Sequence, residues 1–161
     1  MAQALNTMFQ GCNDILLRHD AIVDKLMGDA VMAVFGAPII RDDHVRQAVE
    51  AAAAIQTRAS QMFPAGWEGA CVRIGINSGA AFVGRVGSDD VKDYTAVGDV
   101  VNVAQRLQTE ASPGETLVSE SVYREVSAAY PNAERRVLAL KGRAEPVTAF
   151  ALPLASPTTG R

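Results

Sequence analysis

A chain of 161 residues has the length of one domain, and a hydrophobic fraction of 48% is enough for one packed core. A net charge of −3 excludes nucleic-acid binding driven by bulk electrostatics. No apolar run approaches the ~18 residues of a membrane span, and no basic segment followed by an apolar core marks a signal peptide.

From the N-terminus, residues 4–18 read as an amphipathic helix with Leu5, Met8, Phe9, Cys12, Ile15 and Leu16 on one face. Residues 21–27 and 30–35 form two apolar runs around Gly28-Asp29, the pattern of a tight hairpin. Asp42 or Asp43 can cap a helix over 43–62, where Val45, Ala48, Val49, Ala52, Ile55, Ala59 and Met62 share one stripe and Pro64 and Gly66 stop the run. Strands are expected over 71–77 and 81–86, and a short strand or extended loop over 93–97. A helix follows from Asp99 to about Ala111, ended by Pro113-Gly114. The remainder reads as strand 116–119, helix 120–127, strands 135–140 and 147–152, and a Ser/Pro/Thr/Gly tail over 153–161 expected to be disordered. Interleaved helices and strands with at least one hairpin make an α+β sandwich, with helices covering one face of a mostly antiparallel sheet.

Four segments carry residues suited to chemistry. Asp29, at the hairpin tip, is a turn former or an exposed carboxylate for a hard cation such as Mg²⁺, beside a Gly28 that lets a phosphate approach the backbone. Lys25, in an otherwise mostly apolar strand, either snorkels at an edge or donates a hydrogen bond into a pocket. In "DYTAVGDVVNVAQRL", Asp99 is an N-cap candidate, and Asn102 and Arg106, four apart, share one helix face. That face is solvated or aimed at phosphate oxygens, which suit an amide and an Arg fork. Lys141-Gly142 in "LKGRAEPV" is a charged turn or a phosphate clamp. His19 and His44 lack metal partners at helical spacing and read as structural or surface residues. Cys12 and Cys71 are not at metal-ligand spacing and read as small buried apolar residues in a reduced, cytoplasmic protein.

The blocks "VDKLMGDAVMAVFGAP", "VRIGINSGAAFVGRVGS", "DYTAVGDVVNVAQRLQ", "PGETLVSESVY" and "LKGRAEPV", in this order over residues 4–152, resemble the class III nucleotidyl cyclases, the adenylate and guanylate cyclase catalytic domain. The resemblance implies a ferredoxin-like, palm-like α/β sandwich. It implies that Asp29 is one of two carboxylates binding a pair of Mg²⁺ or Mn²⁺ ions, that Lys25 contacts the purine base, and that Thr95 shares this task. Guanylate cyclases typically carry Glu and Cys at these two positions, so Lys25 with Thr95 implies ATP as substrate. Asn102 and Arg106 match the ribose-positioning and transition-state residues, and Lys141 the triphosphate lysine. The implied reaction is attack of the ATP 3′-hydroxyl on the α-phosphorus, giving cyclic AMP and pyrophosphate. The implied partner is a second copy in a head-to-tail homodimer, with metal carboxylates from one chain and base, Asn and Arg contacts from the other.

One departure bears on activity. The family's domain begins with a strand of "F-x-D-[IVL]" type carrying the first metal carboxylate, expected about 40 residues before Asp29. No residue before Ala21 fits it. The expectation is an N-terminally truncated domain over 1–152, lacking the first strand and impaired in turnover, with Asp24 the first alternative source of a carboxylate. The competing reading is an inactive cyclase-homology module that binds nucleotide or dimerises. A diguanylate cyclase ranks below both, because Met27-Gly28-Asp29-Ala30 stands where a GG-[DE]-E-F signature would be.

Overall fold

The apolar stripe of α1 (Ala2–Arg18) builds the first core: Met8, Cys12, Ile15 and Leu16 are buried, with Leu5 and Phe9 packed beside them. The computed structural model describes residues 2–63, 65–67, 69–88 and 91–153, with the backbone alone for residues 25–27, 60, 86–88 and 91–95. The tail expected to be disordered lies, from residue 154 on, outside the described residues. β1 (Ile22–Met27) and β2 (Ala30–Val34) form the expected hairpin. Gly28 has φ +61, the left-handed value that the first central position of a type II′ turn requires. α2 (His44–Met62) buries every residue of its predicted stripe. Asp43 stands at its N-cap without a side-chain cap; its carboxylate accepts from Gln47 Nε2 at 3.1 Å instead.

β3 (Ile74–Ile76) is shorter than the expected 71–77, since its parallel partner β6 (Thr116–Ser119) is itself only four residues long. β4 (Phe82–Ser88) and β5 (Val91–Val97) pair antiparallel from Phe82–Val97 to Ser88–Val91, a longer hairpin than the sequence implied. α3 (Asp99–Glu110) crosses back to β6, followed by α4 (Glu120–Val126), β7 (Glu134–Leu138) and β8 (Val147–Leu152). The main sheet has the order β3-β6-β8-β7, parallel at β3–β6 and antiparallel elsewhere.

Helices cover both faces of this sheet, not one. Leu117 of β6 and Ala149 and Ala151 of β8 pack against Val103 and Leu107 of α3. Val118 and Leu152 face the other way, onto Val45 and Val49 of α2 and Val122 and Val126 of α4. All four residues of β6, the polar Thr116 and Ser119 included, are buried, as in a strand covered on both sides.

The sheet is also interrupted. Val31 and Ala33 of β2 and Ile74 of β3 pack against one α1–α2 cluster, yet no ladder joins the two strands. Among the described residues, β2 and β3 each leave one edge unpaired.

Candidate active site

α3 starts where Gly98, at φ 145, turns the chain out of β5; the N–H groups of Val101 and Asn102 donate to its carbonyl at 3.2 and 3.4 Å. Gly98 is therefore the N-cap, and the expected cap, Asp99, is the first helical residue. Its carboxylate accepts instead from Arg143 Nη1 at 2.5 Å. Both partners are substantially exposed, so this pair orients more than it stabilises, contributing ~0–1 kcal/mol.

Arg143 closes a tight turn, donating its N–H to Leu140 O at 3.1 Å, and Gly142 at φ +87 supplies the left-handed residue that a type II turn needs. This turn lies close to α3: a methyl group at Gly142 would be in ordinary contact, 3.5 Å from Nη2 of Arg106. The structure thus brings Arg106 and the Lys141-Gly142 turn together. Among the described residues, neither Arg106 nor Lys141 has a carboxylate within ion-pair distance. Asn102, one turn before Arg106, is exposed, and Arg106 is half-buried. Two cations and an amide along a helix and its adjoining turn suit phosphate oxygens.

Two contacts not anticipated from the sequence hold α3 in place. Asn77 Nδ2 donates to Val100 O at 3.1 Å. Gly75 of β3 lies directly under the backbone of Ala104 and Gln108. A Gly between two Ile in a strand is the sequence signal for such a close approach.

Lys25 and Thr95 sit on different hairpins, Lys25 opposite Met32 and Thr95 opposite Gly84; their side chains lie outside what is described. The strands that carry them are linked by Asp24, whose Oδ2 accepts from the N–H of Ala96 at 3.1 Å. Asp29 is exposed at the β1–β2 tip, and no hydrogen bond or ion pair among the described residues joins it to Asn102, Arg106 or Lys141. Neither do the described residues include a group of three or more His, Cys, Asp or Glu able to hold a metal ion. One tip carboxylate does not by itself make a site for two divalent ions.

The remaining candidates have local roles. The Nδ1 atoms of His19 and His44 lie 2.8 Å from Ile15 O and 2.6 Å from Arg41 O. Cys12 is buried, which pushes its thiol pKa up, whereas Cys71 is exposed, contrary to expectation. It stands ahead of β3, outside the core stripe. No helix among the described residues is long and apolar enough to cross a membrane.

Comparison with known proteins agrees with this architecture. The chain is 34% identical over 108 residues to adenylate cyclase 1 of Rhizobium meliloti, covering 65% of this chain and 16% of that protein. It is 28% identical over 148 residues to guanylate cyclase soluble subunit beta-2 of Rattus norvegicus, covering 91% of this chain and 22% of that one. The chain thus spans less than a quarter of either relative. The crystal structure of the adenylyl cyclase CyaB from P. aeruginosa superposes with a TM-score of 0.84 at 28% identity, over 99% of this chain and 85% of that one. Residues 1–153 match the family described as the adenylate and guanylate cyclase catalytic domain, and the chain belongs to that family.

Proposed function

We propose that this domain belongs to an adenylate cyclase, converting ATP to cyclic AMP and pyrophosphate. The observation that carries the reading is the placement of Arg106 beside the Lys141-Gly142 turn, two cations without carboxylate partners among the described residues. A triphosphate supplies the missing anions. Lys141 binds its phosphates, Arg106 meets charge that grows on the α-phosphoryl oxygens as the 3′-hydroxyl attacks, and Asn102 orients the ribose. Lys25 and Thr95 read the base as adenine, Lys25 donating to a ring nitrogen and the Thr95 hydroxyl accepting from the exocyclic amine. Guanine presents the opposite pattern at these positions, and unmatched buried polar groups make discrimination large. Asp29 is assigned to metal binding, with the second carboxylate supplied by a strand inserted between β2 and β3.

Asn102 and Lys141 face open surface. The cleft lined by His19, Asp20, Pro38 and His44 includes none of these residues. A second copy docking head to tail would enclose the site. Phe82 and Val97, paired across β4–β5 and 60% and 40% exposed, offer apolar surface for such a dimer.

The alternative, a nucleotide-binding or dimerising module without turnover, is favoured by one observation: a single candidate metal carboxylate in an interrupted sheet. An assay with Mn²⁺ and either ATP or GTP, on this chain and on one complemented with a first strand, separates the readings. Cyclic AMP from ATP without comparable turnover of GTP supports the adenylate cyclase. Equal turnover of GTP removes the base assignment, and nucleotide binding without product in both forms leaves the silent module.

A further inference from the structure

The link between β1 and β5 is placed where it can act on base selection. The β1–β2 ladder carries a one-residue irregularity: Val23 pairs with Ala33 and Lys25 with Met32, which makes Asp24 the extra residue of a bulge. Such bulges re-aim a side chain out of the regular pleat. Here the carboxylate reaches the N–H of Ala96, 72 positions along the chain. Ala96 is 6% exposed, so this donor is shielded from water. The two hairpins belong to different sheets and share no ladder. The bond therefore joins surfaces whose spacing backbone pairing does not set.

Its position in each strand is the second half of the argument. Asp24 immediately precedes Lys25, and Ala96 immediately follows Thr95. Base discrimination needs its donors and acceptors held within about 0.5 Å of the productive geometry. A carboxylate–amide bond one residue from both base-reading positions fixes the separation of their backbones. We infer that Asp24 is a positioning residue for purine selection: it clamps β1 to β5 and so sets the preference among purine nucleoside triphosphates, without touching the nucleotide. The inference rests on the proposed base reading by Lys25 and Thr95.

The experiment measures equilibrium binding of Mn²⁺-ATP and Mn²⁺-GTP to this chain and its Asp24→Ala, Asp24→Asn and Asp24→Glu variants, with amide hydrogen exchange at Ala96. Asp24→Ala should lose protection at the Ala96 amide and narrow the ATP preference by about tenfold, the scale set by one unmatched buried hydrogen bond. Asp24→Asn, which retains an acceptor oxygen, should keep the Ala96 amide protected and the preference within about twofold of the parent. Asp24→Glu keeps charge and acceptor but adds a methylene, and should fold yet shift the preference; it carries the test if Asp24→Ala does not fold. A purely structural role would weaken both nucleotides in proportion, and an unchanged ATP-to-GTP ratio in Asp24→Ala and Asp24→Glu overturns the inference. A parent chain that binds both nucleotides equally overturns the base reading and the inference with it. The two failures are told apart by whether the parent prefers ATP.

Discussion

A half-buried guanidinium without a counter-ion is costly unless a ligand supplies the charge. Arg106 is such a group among the described residues, whereas Arg143, across the same turn, is satisfied by Asp99. On the proposed reading, Arg106 matters most when charge accumulates around phosphorus. In a form of the domain that turns over, Arg106→Ala should lower kcat by about 10²–10³-fold and change ATP affinity little, as removal of one preorganised donor does. Steady-state kinetics check this, and a parental kcat in the variant would make Arg106 a surface residue. The pairing of Asn102 with Arg106 on one face was readable from their four-residue spacing. The approach of Arg106 to Gly142 was not, because it depends on a turn 36 positions away that only the folded chain brings near. Asp99 misled for a local reason. Its side chain has the chemistry of a cap, but the preceding glycine, with φ 145, takes the cap position and leaves the carboxylate to Arg143. Asp24 stood out in the sequence only as an alternative source of a carboxylate, and its bond to the Ala96 N–H is set by tertiary structure alone.

The elements that carry the site are held by two contacts of opposite character. The first is steric: β3 passes so close under α3 that Gly75 has no room for a side chain, and the obstructing atoms are the backbone of Ala104 and Gln108. Backbone cannot rotate away as a side-chain tip does. Gly75→Ala should therefore lower stability by about 1–3 kcal/mol and disturb the helix that carries Asn102 and Arg106. Urea unfolding measures this; a loss under about 0.5 kcal/mol, the range of ordinary surface substitutions, would refute the close packing. The second contact is electrostatic. Glu115 receives both terminal nitrogens of Arg136, at 2.6 and 2.8 Å, tying β7 to the loop ahead of β6. Its carboxylate is 17% exposed, so the pair is shielded from solvent screening. Burial pushes the Glu115 pKa up, but the hydrogen bonds from Arg136 and the Ser112 N–H, with the Arg136 charge, outweigh it and hold the pKa below the usual value. A carboxyl depressed in the folded state contributes stability above its unfolded pKa of about 4.3 and loses it as pH falls through the folded value. Glu115→Gln should thus cost about 1–2 kcal/mol at pH 7, a difference that shrinks below about pH 4. Denaturation at both pH values tests this, and a pH-independent difference would rule out the charge as its source. Helix faces were legible throughout because their period is local. The two-sided burial of β6 was misjudged because Leu117 and Val118, flanked by the hydroxyl residues Thr116 and Ser119, do not say how many layers cover the strand.

At the scale of the molecule, the main feature is the interruption of the sheet. β1–β2 and the four-stranded sheet rest against the same α1–α2 cluster but share no backbone hydrogen bonds, and the edges of β2 and β3 are unpaired among the described residues. Unpaired edges over an apolar layer invite a further strand, from this protein or from another chain. The sequence pointed to this gap only through the family resemblance, since no local pattern marks a missing neighbour. On the proposed reading the inserted strand brings the second metal carboxylate, for Asp29 supplies one and Asp24 is engaged with Ala96. Mg²⁺ demands near-ideal octahedral geometry and keeps its waters when ligands are few, so one carboxylate with a phosphate holds it loosely. Residues 1–161 alone should therefore make cyclic AMP near background and self-associate through the open edges, as light scattering would detect. Fusing a strand of "F-x-D-[IVL]" type ahead of Met1 should fill the gap, suppress that association and give Mg²⁺- or Mn²⁺-dependent cyclic AMP formation. Changing only the added aspartate to Ala should keep the strand paired yet remove the activity, which separates the structural from the metal-binding part of its role. The chains are assayed side by side at equal concentration. If residues 1–161 already match the fused chain in rate, the second carboxylate comes from within the chain. The assignment of Asp24 to positioning would then be the first to re-test, by asking whether Asp24→Asn abolishes turnover while the Ala96 amide stays protected.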